Sequence, residues 1–292
     1  MKRKIALILM SIFCLAMMAS CLCACNIVFA QNYTTTNHVV DTYENIDIDV
    51  DVAEVIIKKA NGEKYGVSCF ESDKIYHTVK VENGTLKIYS ANPSVSIINI
   101  GWVKSPSVTV YVPEQFNGNL TISTDTGAVV IEKGLTFGNI SIDADTGAIK
   151  CSANAQGVVD IDADTGAIHL ENMNQVVAIN IDCSTSAIKL DNINCSNLIV
   201  NTDTGLVELN DVIAKMLNID TDTGSVKLNR SNGSDSIVIN TDTGSVTGTI
   251  LTSGRYFEVE TDTGVVSVPE STYGGALVKI TTNTGSINIK YC

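Results

Sequence analysis

Nine tandem copies of one tripeptide constrain this chain more than any other feature. Asp-Thr-Gly, or a close variant, begins at Asp125, Asp145, Asp164, Ser184, Asp203, Asp222, Asp242, Asp262 and Asn283, at spacings of 19 to 21 residues. So steady a period is the mark of a stacked repeat architecture. Around each copy the apolar residues recur at every second position. Three residues before the tripeptide stand Ile122, Ile142, Ile161, Ile181, Val200, Ile219, Ile239, Val259 and Ile280; four after its first residue stand Val129, Ile149, Ile168, Ile188, Val207, Val226, Val246, Val266 and Ile287. Period two on both sides of a tight turn reads as strand, turn, strand with one buried face. A unit this small cannot bury its apolar face alone, whereas stacked units bury it in continuous ladders. The expected fold is all-β: a single-domain, β-helix-like β-solenoid with about nine regular coils of 19–21 residues. A run of hairpins in an ordinary antiparallel sheet is the alternative.

Turn chemistry accounts for the polar columns. Asp, Ser or Asn is expected to accept a backbone N–H and start the turn, and Gly to supply positive φ. Ser186 replaces Gly in the copy that begins with Ser184, so that coil is expected to turn differently. One residue before the Asp position, and two before the middle Thr, the column that often holds Thr also holds Ala144, Ala163 and Cys183, a small inward-facing set that argues against an ice-binding double Thr row.

Four segments follow along the chain. Residues 1–25 form a secretion signal: Lys2, Arg3 and Lys4 precede the uncharged apolar run Ile5 to Met18. That run is shorter than the roughly 20 residues that cross a bilayer core. Leu22-Cys23-Ala24-Cys25 resembles a bacterial lipobox, which makes Cys25 the expected lipidation site. Met18-Ala19-Ser20-Cys21 is a poorer match pointing to Cys21, and Val28-Phe29-Ala30 offers a cleavage site for simple release. Residues 26–42 read as a polar tether, 43–119 as irregular opening coils that cap the N-terminal end, and 120–292 as the regular solenoid. The expected location is the cell envelope or surface, with a lipid anchor as the only membrane contact.

Loss of the leader leaves 16 of the 19 basic residues against 32 acidic ones. A surface so acidic repels nucleic acid and anionic lipid, and neither is an expected partner. The body cysteines, Cys69, Cys151, Cys183, Cys195 and Cys292, are odd in number and scattered, unlike a disulfide framework. They read as small core residues and one terminal thiol.

The acidic columns are the candidate site. Asp143 with Asp145, Asp162 with Asp164, Asp220 with Asp222, and Glu260 with Asp262 place pairs of carboxylates on the outward side of a coil. Neighbouring unit charges near 4 Å repel by about 1 kcal/mol even in water. Either turn N–H groups or a row of bound cations must offset this. Calcium takes six to eight oxygen ligands, so paired carboxylates on successive coils could serve it, although the Gly-rich nonapeptide of calcium-binding β-rolls is missing. Aspartic proteases share the tripeptide, but they need two carboxylates sharing one proton at one site, which tandem copies do not make. His38, His77 and His169 lie far apart in sequence and none has a second metal ligand at motif spacing. No nucleophile elbow or phosphate loop is present. The chain reads as a non-enzyme without a cofactor, calcium being the one candidate.

Once the repeat is established, the chain resembles DUF4097, a bacterial family named for adhesion. The resemblance is carried by Val108-Thr109-Val110-Tyr111-Val112-Pro113, leading through Leu120-Thr121-Ile122-Ser123 into Asp125-Thr126-Gly127-Ala128-Val129 and the further coils. It implies a β-solenoid on the cell envelope and carries no functional residue across. The leading expectation is a noncatalytic surface binding or adhesion protein whose acidic face meets a glycan, wall polymer or protein. One alternative is a self-assembling structural or stress-sensing envelope component, associating through an unpaired C-terminal coil at Ile287 to Cys292. Others are a calcium-dependent surface module and an envelope hydrolase.

Overall fold

The computed structural model describes residues 32–60, 66–91, 105–113 and 115–292. The leader, with the candidate lipidation sites Cys21 and Cys25, lies outside those residues. No helix among the described residues is long and apolar enough to cross a membrane. The described chain is a β-solenoid of about 8 turns without helix.

Parallel, in-register stacking follows from the two apolar columns. Ile142 pairs with Ile122 on one side and Ile161 on the other, and Ile140 with Leu120 and Val159. Ile149 likewise lies between Val129 and Ile168. All of these side chains are buried, and with their equivalents in later coils they form one continuous core. Adjacent strands in a ladder stand about 4.8 Å apart, so each apolar side chain rests on its counterpart one coil away.

A second corner completes the coil, and it was not foreseen from the tripeptide. Asn172, Asn192, Asp211 and Arg230 stack there, all with φ between 51 and 60°. Asn and Asp tolerate this left-handed region better than most residues. Arg230 is held there by an ion pair with Asp211. Asn192 also donates through Nδ2 to Asn172 Oδ1 at 2.9 Å.

The tripeptide glycines answer to close approach between coils. A Cβ at Gly147 would lie 2.0 Å from the Gly127 carbonyl oxygen, and one at Gly166 would lie 1.9 Å from that of Gly147. Ser186 keeps the ladder, but without the positive φ of Gly166 (149°) and Gly205 (153°) in the flanking coils. Its N–H donates to Thr204 O at 3.0 Å in the same ladder, but the neighbouring rung, Gly166 N to Thr185 O, stretches to 3.4 Å where Gly147 N to Thr165 O measures 3.0 Å.

Both ends depart from simple succession. At the N-terminal end the strands are β1 (Thr34–Val39), β2 (Asn45–Val50), β3 (Glu54–Lys59), β4 (Gly66–Glu71), β5 (His77–Glu82), β6 (Thr85–Ser90), β7 (Ser107–Val112), β8 (Leu120–Thr126) and β9 (Val129–Ile131). β2 lies between β6 and β8, and β3 between β7 and β9, all parallel. Residues 45–59 are therefore a regular coil, although 43–119 was expected to be irregular throughout. The cap proper is antiparallel: β4 joins β7 to β1, and β5 covers β6. β1 falls inside the segment expected to be a tether. The run Thr34-Thr35-Thr36 favours an extended chain, and the open edge of β4 supplies its partner.

The C-terminal end corrects a second expectation. Leu277–Thr284 lies between Val226–Thr243 and Tyr256–Thr263, and Ile287–Tyr291 lies between Val246–Ile250 and Val266–Ser267. The last strands of the chain are thus internal, and the unpaired edge belongs to residues 256–267. Pro269 gives a physical reason, because a residue without an N–H cannot continue a ladder and suits an outermost coil. Arg255 fixes the crossing. Its guanidinium is buried and donates to Gly233 O at 2.7 Å and to Asn232 Oδ1, while its backbone N–H donates to Tyr291 Oη at 3.1 Å.

Candidate functional site

The strand that enters the tripeptide turn presents an exposed face whose two outer columns, nearest the turn, stack acidic side chains without basic ones over the first coils. From the opening coil onward its two outer columns hold Asp49 and Asp51, Ser123 and Asp125, Asp143 and Asp145, Asp162 and Asp164, Asp182 and Ser184. Among the described residues no ion pair and no backbone N–H engages any of these carboxylates. The expectation that they cap their own turns is therefore not met. Asp125 is pushed above the ordinary aspartate range by partial burial and then by the charges of Asp51 and Asp145. Asp162 is raised in the same way, by partial burial first and then by Asp143 and Asp182.

The strand leaving the turn carries a compensated face. Lys150 Nζ lies 3.4 Å from Glu171, His169 Nε2 2.6 Å from Asp191, Lys189 Nζ 2.8 Å from Asp191 and Lys227 Nζ 3.6 Å from Glu208. Burial would raise Asp191, but hydrogen bonds from Lys189, Asn210 and His169 outweigh it and hold the carboxyl low. Ser152, which donates to Glu171 at 2.6 Å, chiefly lowers that residue too. Carboxyls thus shift in opposite directions on the two faces, up at Asp125 and Asp162 and down at Glu171 and Asp191. The first face carries charge that the protein itself does not neutralise.

The expected cation-binding residues do not form one site. Asp143, Asp145, Asp162 and Asp164 occupy adjacent coils, with Asp143 opposite Asp162. Asp220 and Asp222 lie further along, beyond the coils of Asp182 and of Asn201 with Asp203. Glu260 and Asp262 sit on the outermost coil, separated from Asp242 by the inserted coil of Asn283, whose Nδ2 donates to Asp242 Oδ1 at 3.2 Å. Asp49 and Asp51 join the first group and were not among the expected residues. The signal was present in Ile46-Asp47-Ile48-Asp49-Val50-Asp51, which alternates as residues 140–145 do.

Two other features escaped sequence reading. Cys69, Glu71 and His77, all buried, bring their ligand atoms within 4.8 Å of one another. The outermost coil leaves Val265, Val266, Tyr256 and Tyr273 exposed beside its free strand edge. The body thiols are unbonded, with Cys69, Cys151, Cys183 and Cys195 buried and Cys292 exposed.

The family model described as Toastrack DUF4097 matches residues 43–180. Over that segment the chain is similar to the DUF4097 family. Beyond the matched segment the same coil continues to residue 291. Three solved structures share the Toastrack architecture. A putative adhesin from Parabacteroides merdae matches with a TM-score of 0.60 and 11% identity, over 90% of this chain and 99% of its own. A putative lipid binding protein from Parabacteroides distasonis gives 0.57 and 16%, over 89% and 97%. A putative adhesin from Bacteroides fragilis gives 0.54 and 15%, over 89% and 98%. At these identities the likeness establishes the fold. No curated protein matches the chain.

Proposed function

We propose that this protein is a DUF4097 member that serves as a noncatalytic binding module of the cell surface, and that the uncompensated acidic face between Asp49 and Asp182 is its contact surface. The observation that carries the reading is the contrast between the faces: acids on the leaving strand have basic partners, whereas those on the entering strand from Asp49 to Asp182 have none, the amide of Asn201 beside Asp182 being a neutral contact. A row of unpaired charge on a rigid scaffold suits many weak contacts in parallel with a cationic surface polymer or a basic protein. The names of two structural neighbours, which describe them as adhesins, agree with this reading. Cys25 is the lipidation site in this scheme, Cys21 the second choice, and the lipid is the membrane contact.

The test is binding of the wild type and of D143N/D145N/D162N/D164N to arrayed glycans, wall polymers and basic proteins. The expected outcome is a ligand whose affinity falls about tenfold or more in the variant and also falls between about 50 and 500 mM salt. Binding unchanged in both comparisons would reject this face as the contact surface.

A second reading is that calcium bridges the face to its ligand. It is favoured by the stacking of Asp143 opposite Asp162, since bound cations would relieve the repulsion that adds to partial burial in raising Asp125 and Asp162. Calorimetric titration decides it: multi-site binding that raises the melting temperature supports the calcium role, and absence of heat removes it.

A further inference from the structure

We propose that Cys69, Glu71 and His77 bind one zinc ion that clips together the two halves of the N-terminal cap. The site is built by two strands and the turn between them. On β4 the residues alternate, so Val67, Cys69 and Glu71 form its inward row, all buried. Ser72 opens the following turn, its Oγ accepting from Ile75 N–H at 3.2 Å, and this delivers His77 to the start of β5. The His77 N–H donates to Glu71 Oε2 at 2.9 Å, and its Nδ1 lies 3.3 Å from the same oxygen. With Cys69 Sγ, the three donor atoms lie within 4.8 Å of one another.

The local charges leave room for a cation. A buried carboxylate is costly unless it is paired. Among the described residues the Glu71 side chain is engaged by His77 alone, and the Cys69 thiol makes no hydrogen bond. The cluster thus brings a buried carboxyl, a ring nitrogen and an idle thiol to one point. A divalent ion would neutralise the carboxylate and convert the thiol to a bound thiolate, with one proton released to solvent for each ion taken up.

His38 supplies an independent observation. β1 pairs antiparallel with β4, placing Thr36 opposite Cys69 and His38 opposite Val67, and directly opposed residues share a face. His38 Nε2 is buried without a hydrogen-bond partner, and the residue acts electrostatically on His77. It is the candidate for a fourth ligand, the alternative being a water. Sulfur, imidazole and carboxylate in one four-membered set suit zinc, whereas calcium and magnesium take oxygen ligands.

The place of the cluster gives the ion a role. β4 is paired with β1 and β7, while β5 is paired with β6. The two layers of the cap meet at the turn between Glu71 and His77, where the ion would join them.

The test uses the full chain with the leader cysteines Cys14, Cys21, Cys23 and Cys25 replaced by serine, so that only body thiols remain. After zinc loading and desalting, one equivalent of zinc per chain is expected, with release of about one proton on binding and a melting temperature lowered by chelator. Cys69→Ser and His77→Ala should each weaken zinc binding by about 100-fold or more, and Cys195→Ala should not. If either variant fails to fold, cobalt added to the parent protein should give a thiolate-to-metal charge-transfer band. Absence of stoichiometric zinc, zinc retained equally by Cys69→Ser, or no such band with cobalt would overturn the proposal.

Discussion

At the scale of single residues, this solenoid is governed by what one coil permits the next. The tripeptide glycines are close-contact residues: the carbonyl of the neighbouring coil occupies the space that a Cβ would need. Gly166→Ala should therefore destabilise the protein by about 1–3 kcal/mol through overpacking, read as a lower thermal midpoint. Ser186 shows what accommodation looks like, since the adjacent rung lengthens to 3.4 Å. Sequence reading found the right positions and, at Gly147, Gly166 and Gly205, the positive φ it expected, but not the close approach, because a spacing between coils is invisible in a local turn pattern. The carboxylates make the complementary case. Asp162 has a raised folded-state pKa, so the native state binds more protons than the unfolded chain just above the ordinary aspartate range. Its contribution to stability grows as pH falls through that window and is lost as pH rises above the folded value. Asp162→Asn should raise the melting temperature near pH 7 by about 1–2 °C, within the range of surface substitutions, and the gain should vanish below about pH 3, where the group is protonated in both states.

Elements are fixed by partners as much as by pattern. The coils from residue 120 to 250 were legible because every strand repeats the same apolar columns and meets a copy of itself. The second corner was less so, since Asn172, Asn192, Asp211 and Arg230 share a conformation but not a residue type. β1 was read as tether because its partner β4 is distant in sequence. The order of the last two coils was illegible for a related reason: residues 256–267 and 277–291 carry equivalent apolar columns, and the choice between them rests on Pro269 and on Arg255. Arg255→Ala leaves the Gly233 carbonyl and the Asn232 amide oxygen buried without their donor, which should cost about 2–4 kcal/mol. Hydrogen exchange should locate that loss in residues 251–291 while leaving 140–210 protected. Equal loosening along the whole solenoid would show that the crossing is not anchored by Arg255.

For the whole molecule, the two ends are managed differently. The N-terminal end is covered by antiparallel strands and, in our proposal, clipped by zinc. The C-terminal end leaves the edge at 256–267 open beside Val265, Val266 and Tyr273, and an exposed edge invites a further strand. Light scattering across a concentration series should show self-association that Val266→Lys abolishes; a monomer at every concentration would remove the assembly role. Along the flank between those ends, one face is electrostatically satisfied and the other is not. That contrast joins fold to function, and carboxyl NMR titration of Asp125 and Asp162 tests it most directly. The account predicts midpoints above the ordinary aspartate value at low ionic strength, moving down as salt screens their neighbours. Midpoints at or below the ordinary value would mean that the protein already compensates this face, and the binding surface would have to be sought elsewhere.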